Sequence, residues 1–137
     1  MMYFQTAAPD FDAAGNGGDD VDWCAAFVNY CLETAGYRGT GHPGARSFYW
    51  NKGPHFVVIP EAQKGCIAVF RDAPFTDPDW LTGTGHVGFV VGSSATTLDL
   101  LGGNQGHTVK VKTHQRQNGT GANITRKVVR FLFPVMN

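Results

Sequence analysis

Between Asp22 and Tyr37 the apolar residues recur with a helical period. At 100° per residue Cys24, Phe27, Val28, Cys31, Leu32 and Ala35 fall on one continuous arc, with Asn29 and Glu33 opposite. This predicts one helix with one buried face. Asp20 or Asp22 can cap its start, and Gly36 is placed to end it. From Gly65 the period becomes that of strands. Apolar runs at Cys66 to Arg71, His86 to Val91, Leu98 to Leu101 and Lys127 to Phe133 predict four of them, and Val109 to Lys112, alternating valine with lysine, predicts a half-exposed fifth.

The segments between these runs read as connections. Ala13 to Asp20 is a glycine-rich lead-in, Asp72 to Thr84 a proline-rich loop, and Thr113 to Thr125 a polar loop. Ala45 to Asn51 predicts a short helix ended near Gly53-Pro54, with Phe48, Tyr49 and Trp50 serving packing. A helix followed by an antiparallel sheet predicts an α+β fold. The chain, 137 residues long, suffices for one domain, residues 1–137 with 1–21 as a lead-in.

Composition narrows the function. No run of eighteen apolar residues is present, which predicts no membrane span, and Met1 to Ala8 lacks the basic start and apolar stretch of a signal peptide. Formal net charge is zero but unevenly spread. Six acids precede Arg38, whereas six bases and no acid follow Asp99. Either the two ends neutralise each other in the fold or the basic end forms an anion-binding face. Nucleic acid is not indicated.

Three cysteines make no disulfide framework. Cys24 and Cys31 stand two helical turns apart, about 10 Å by helix rise, too far to bridge. A Cys31–Cys66 pair stays open. The cysteines and five histidines lack zinc-ligand spacing, so thiol chemistry is expected and metal chemistry is not. Cys24 falls in the first helical turn, where free backbone N–H groups and the helix dipole favour thiolate.

In His86-Val-Gly-Phe-Val-Val91, His86, Gly88 and Val90 share one face of a strand, the face with the smaller residues. If the helix packs there, the imidazole meets the Cys24 thiol and the two form a thiolate–imidazolium pair. Leu100-Leu-Gly-Gly-Asn-Gln105 then offers a third group. Asn104 can accept the remaining imidazole N–H, and Gln105 ranks behind it because it lies on the opposite side of an ideal strand.

Taken in order, Asp22-Trp-Cys-Ala-Ala-Phe-Val-Asn, Gly85-His-Val-Gly-Phe-Val-Val-Gly and Leu101-Gly-Gly-Asn-Gln resemble the papain-like cell-wall cysteine peptidases, near the CHAP (cysteine, histidine-dependent amidohydrolase/peptidase) and NlpC-type branches. The resemblance runs from about Asp20 to Phe133 and takes in Gly39-Thr-Gly with Ala45-Arg-Ser47. It departs at Lys64-Gly-Cys-Ile, where relatives usually carry Pro-Gly-Asp, and in the acids Asp20 and Asp22, whose charge opposes thiolate.

The resemblance implies a papain-like layout, with an N-terminal catalytic helix packed on an antiparallel sheet of about five strands. It implies Cys24 as nucleophile, His86 as base and Asn104 as the residue that orients it, with Trp23 and Gln105 as substrate contacts and no cofactor. The expected reaction is hydrolysis of a peptidoglycan amide bond, either muramoyl-alanine or within the stem peptide, by a monomer. Two rivals remain: a protein-modifying deamidase or transglutaminase toxin on the same fold, and a non-catalytic wall-binding module. Without a signal peptide, action at the wall is expected to follow delivery by a secretion system or phage lysis, and a delivered effector would need an immunity protein.

Overall fold

The computed structural model describes residues 23–40, 47–50, 55–75, 85–103 and 109–135, the side chains of Trp23, Tyr49 and Trp50 excepted. Helix α1 spans Trp23–Thr34 and helix α2 Ser47–Trp50. The strands are β1 (Phe56–Ile59), β2 (Ile67–Asp72), β3 (Gly85–Ser93), β4 (Thr97–Gly103), β5 (Val109–Gln115), β6 (Gln117–Asn118) and β7 (Arg126–Pro134). All pair antiparallel in one sheet of order β1-β7-β2-β3-β4-β5, and β6 returns to pair with β7.

That return closes the sheet on itself. Arg116, between β5 and β6, donates its N–H to Thr96 (2.9 Å) and accepts the N–H of Val128 (2.8 Å), so it joins the β4 side to β7. Closure creates an inner and an outer face. Cys66, Ala68, Phe70, Val90, Leu98, Leu100 and Phe131 form the inner core. On the outer face Ile67, Val69, Val87 and Leu132 pack with Cys24, Phe27, Val28 and Leu32 of α1 and Phe48 of α2. Two irregularities serve this arrangement: the registers shift between Val69 and Phe70 on β2 against β7, and between Val90 and Gly92 on β3 against β4. Such bulges bend strands and tighten their twist, which a small closed sheet requires.

The expected α+β, papain-like layout of a catalytic helix on about five strands is therefore corrected. The described residues are mostly antiparallel sheet, seven strands in all, with one short helix of three turns and a four-residue α2. The expectation missed β1, although Phe56-Val-Val-Ile is a β-branched run of the kind strands favour, and β6, which carries no apolar signal. Ring closure rests on backbone pairing by polar residues, which hydrophobic periodicity does not register.

Helix α1 ends as its sequence dictates. Gly36 takes φ 93°, its N–H bonds Glu33 C=O (3.1 Å), and the Tyr37 N–H reaches back to Leu32 C=O (2.8 Å). This is the Schellman arrangement, in which glycine adopts the left-handed conformation without steric cost. The predicted polar side of the helix is only partly polar. Asn29 is fully buried and bonded: its carboxamide accepts the Thr40 N–H (2.7 Å) and donates to Thr40 Oγ1 (3.2 Å), which in turn accepts from Ser47 (2.7 Å). A Cβ on Gly39 would overlap the Asn29 carboxamide, so glycine is what lets the following chain lie against the helix.

Candidate active site

Cys24 occupies the second position of α1 and is buried in the outer cluster. Its setting differs from that of the other two thiols. Burial pushes both the Cys31 and Cys66 thiols above the ordinary thiol range, although backbone N–H groups, among them that of Gln63 at 3.5 Å, partly offset this at Cys66. None of the three cysteines is in a disulfide. The open Cys31–Cys66 pairing is not formed: Cys31 packs against the outer cluster and Cys66 belongs to the inner one.

A cation from β7 acts on Cys24. Arg126 binds Asp72 across the paired ends of β7 and β2, through a short Nε contact and an Nη2–Oδ2 bond of 3.0 Å. The guanidinium is held above its usual range first by this bond and, in smaller part, by the negative charge of Cys24. The interaction is mutual, so Arg126 favours the thiolate. The sequence showed Arg126 only as one of six C-terminal bases, because its proximity to Cys24 depends on the β2–β7 pairing. Among the described residues the C-terminal bases pair with mid-chain acids, Arg126 with Asp72 and, more loosely, Arg116 with Glu61 at 4.0 Å. Of the six N-terminal acids only Glu33, in α1, is among the described residues; Asp20 and Asp22 lie outside them.

His86 is the second residue of β3, opposite Phe70 of β2. Here the structure corrects the expected packing. Helix α1 lies over the Val87 and Phe89 face of β3, with Phe27 and Phe89 edge to face at 6.4 Å. Strand alternation therefore turns His86 to the inner face. There it meets Phe70, with ring centroids 6.3 Å apart, and His114 of β5 at 4.8 Å. Gly88 serves a different contact from the one expected, since a Cβ there would press on Leu100 and Leu101 of β4. Burial foremost, then the positive charges of His114, Arg126 and Lys112, hold the His86 pKa down at about 3, against a weaker upward pull from Asp72.

Cys24 and His86 thus belong to opposite faces, yet both interact with Arg126. His86 is neutral at ordinary pH, and Arg126 is a charged group that acts on both side chains. The helix places Trp23 immediately before Cys24, but its side chain lies outside the description. Asn104 and Gln105 are also outside the described residues, which on β4 end at Gly103. A groove lined by Glu33, Tyr37, Arg38, Thr40 and His55 lies at the other end of α1, away from Cys24.

The CHAP domain model matches residues 16–104, about two thirds of the chain, and the protein belongs to the CHAP domain family. CHAP domains are typically hydrolases acting on peptidoglycan, and at that coarse level this chain is a peptidoglycan amidase or peptidase. No curated protein and no solved structure matches it. No described helix is long and apolar enough to cross a membrane.

Proposed function

We propose that the protein hydrolyses a peptidoglycan amide bond through Cys24, with His86 as the proton carrier and Asn104 as the group that orients it. The observation that supports this most is the placing of Cys24 in the first turn of α1, beside Arg126, within the segment matched by the CHAP model. Cys24 gives its proton to His86 while its sulfur attacks the carbonyl carbon. The C–N bond then breaks, the amine takes the proton from His86, and a thioester remains. Water attacks the thioester, His86 takes a proton from it, and the sulfur leaves to regain that proton. Backbone N–H groups at the start of α1 steady the oxyanion.

The edge of the His86 ring has to address the sulfur around the end of β3. Gly85 begins that strand on the helix-facing side and carries no side chain to obstruct the approach. The imidazole is neutral over the whole physiological range and so has a nitrogen open to a proton, and its low pKa makes it a weak base that hands the proton on readily to the leaving amine.

The biological setting we infer is action at the cell wall after delivery into a competitor or during phage lysis, with an immunity protein guarding any producer. Digestion of purified peptidoglycan followed by mass spectrometry tests the chemistry and identifies the bond. New amine termini with wild type and none with Cys24→Ala are expected. Binding to the wall without any released fragment would instead mark a binding module. Deamidated or cross-linked protein substrates, with the wall intact, would mark a protein-modifying toxin.

A further inference from the structure

His114 lies beyond the segment that defines the family and belongs to a strand that is otherwise almost wholly exposed. In β5 the residues Val109 to Thr113 and Gln115 face solvent, with Val111 55% exposed, while His114 alone is drawn inward. Its ring lies 4.8 Å from that of His86, with 31° between the planes, and 5.7 Å from that of Phe70. Phe70 and His86 are themselves 6.3 Å apart, so the three rings form one closed cluster. Offset ring pairs at such separations are attractive beyond the area they bury.

We propose that His114 is a positioning residue that fixes the plane of the His86 imidazole by stacking on it, with Phe70 as the second wall. Stacking engages the face of a ring and leaves its edge free. Both nitrogens of His86 therefore remain open to proton traffic while rotation of the ring is restrained. The cluster also sets the charge around His86: Lys112 and His114 from β5, Arg126 from β7 and Asp72 from β2 act on it, and Arg126 couples it to Cys24 of α1. A second imidazole suits this place because it stacks like an aromatic ring, and once protonated it resists protonation of its neighbour.

The inference rests on His86 as the proton carrier, and the test separates the two. The full-length protein, with 15N-labelled histidine, is compared as wild type, His114→Ala and His114→Phe by NMR titration of the His86 ring nitrogens, and in parallel by peptidoglycan hydrolysis. In His114→Ala the His86 resonances are expected to move, its titration midpoint to rise, and kcat to fall on the order of tenfold with little change in KM. His114→Phe restores a stacking ring but not the charge, so it should recover much of kcat while the titration midpoint stays raised. Wild-type His86 resonances in both variants would overturn the proposal, as would equal losses of kcat in the two. Displaced His86 resonances with an unchanged kcat would uphold the stack and refute His86 as the proton carrier.

Discussion

Arg126 holds Asp72 across the paired ends of β7 and β2, and the same guanidinium feels the charge of Cys24. The ion pair keeps the cation in place where an unpaired side chain would swing into solvent. Arg126→Gln should slow alkylation of Cys24 by iodoacetamide at pH 7 by about three- to tenfold, since thiolate is the reacting form. Asp72→Asn should slow it less, because the cation survives and only its tether is lost. The rate of Cys24 labelling against pH, followed by mass spectrometry, checks both. Unchanged rates in Arg126→Gln would show that the helix end alone prepares the thiol.

The three cysteines should react in a set order. Burial disfavours the Cys31 and Cys66 thiolates, and among the described residues no comparable cation acts on either. Under native conditions a limiting alkylating agent should therefore modify Cys24 first. Cys24→Ala should abolish hydrolysis and leave the circular dichroism spectrum intact, while Cys31→Ala keeps substantial activity. Peptide mapping that finds Cys31 or Cys66 labelled ahead of Cys24 would contradict the assignment.

Acid should unfold the protein partly through His86. Its folded pKa is about 3 against an ordinary value of 6.5, so between those values the unfolded chain binds the extra proton. Stability from this group is complete above pH 6.5 and is lost as pH falls toward 3. His114, also held down chiefly by burial, acts in the same direction. The urea midpoint should therefore drop across that window, and the drop should be shallower in His86→Phe. An equally steep drop in His86→Phe would place the acid-sensitive group elsewhere.

Gly39 and Asn29 form a unit that sets where the chain goes after α1. Gly39→Ala forces a methyl group into the Asn29 carboxamide and should cost about 1–3 kcal/mol of stability. Asn29→Ala removes the acceptor of the Thr40 N–H and should cost a similar amount, about 1–3 kcal/mol. If the two act through one contact, the double variant should lose less than the sum, as chemical denaturation would measure. Additive losses would separate them.

Local features were legible in the sequence and non-local ones were not. The period of α1, its end at Gly36 and five of the strands follow from spacing and from the conformational freedom of glycine. The buried Asn29 does not, because a polar residue on the far side of a helix reads as solvated until a second segment is known to cover it. The facing of β3 also misled: small His86-Gly88 neighbours suggested close helix packing, whereas Gly88 yields to β4 and the helix chooses Val87 and Phe89. Arg126 and His114 gave no signal at all. Each reaches the site through strand pairings of distant segments, and no local pattern announces such a partner.

Strand β7 sits between β1 and β2, although more than fifty residues of chain separate it from either. A growing polypeptide that has exposed only the helix and the first four strands has no partner for the open edge of β2, no closed inner core and no Arg126 beside the thiol. Chain closure over such long separations is slow. During synthesis, then, the cysteine exists well before the surroundings that would make it reactive. Arg126 reaches the thiol only once the 126–134 segment has left the ribosome and docked, so the cation that favours the thiolate is the last part of the Cys24 surroundings to be made.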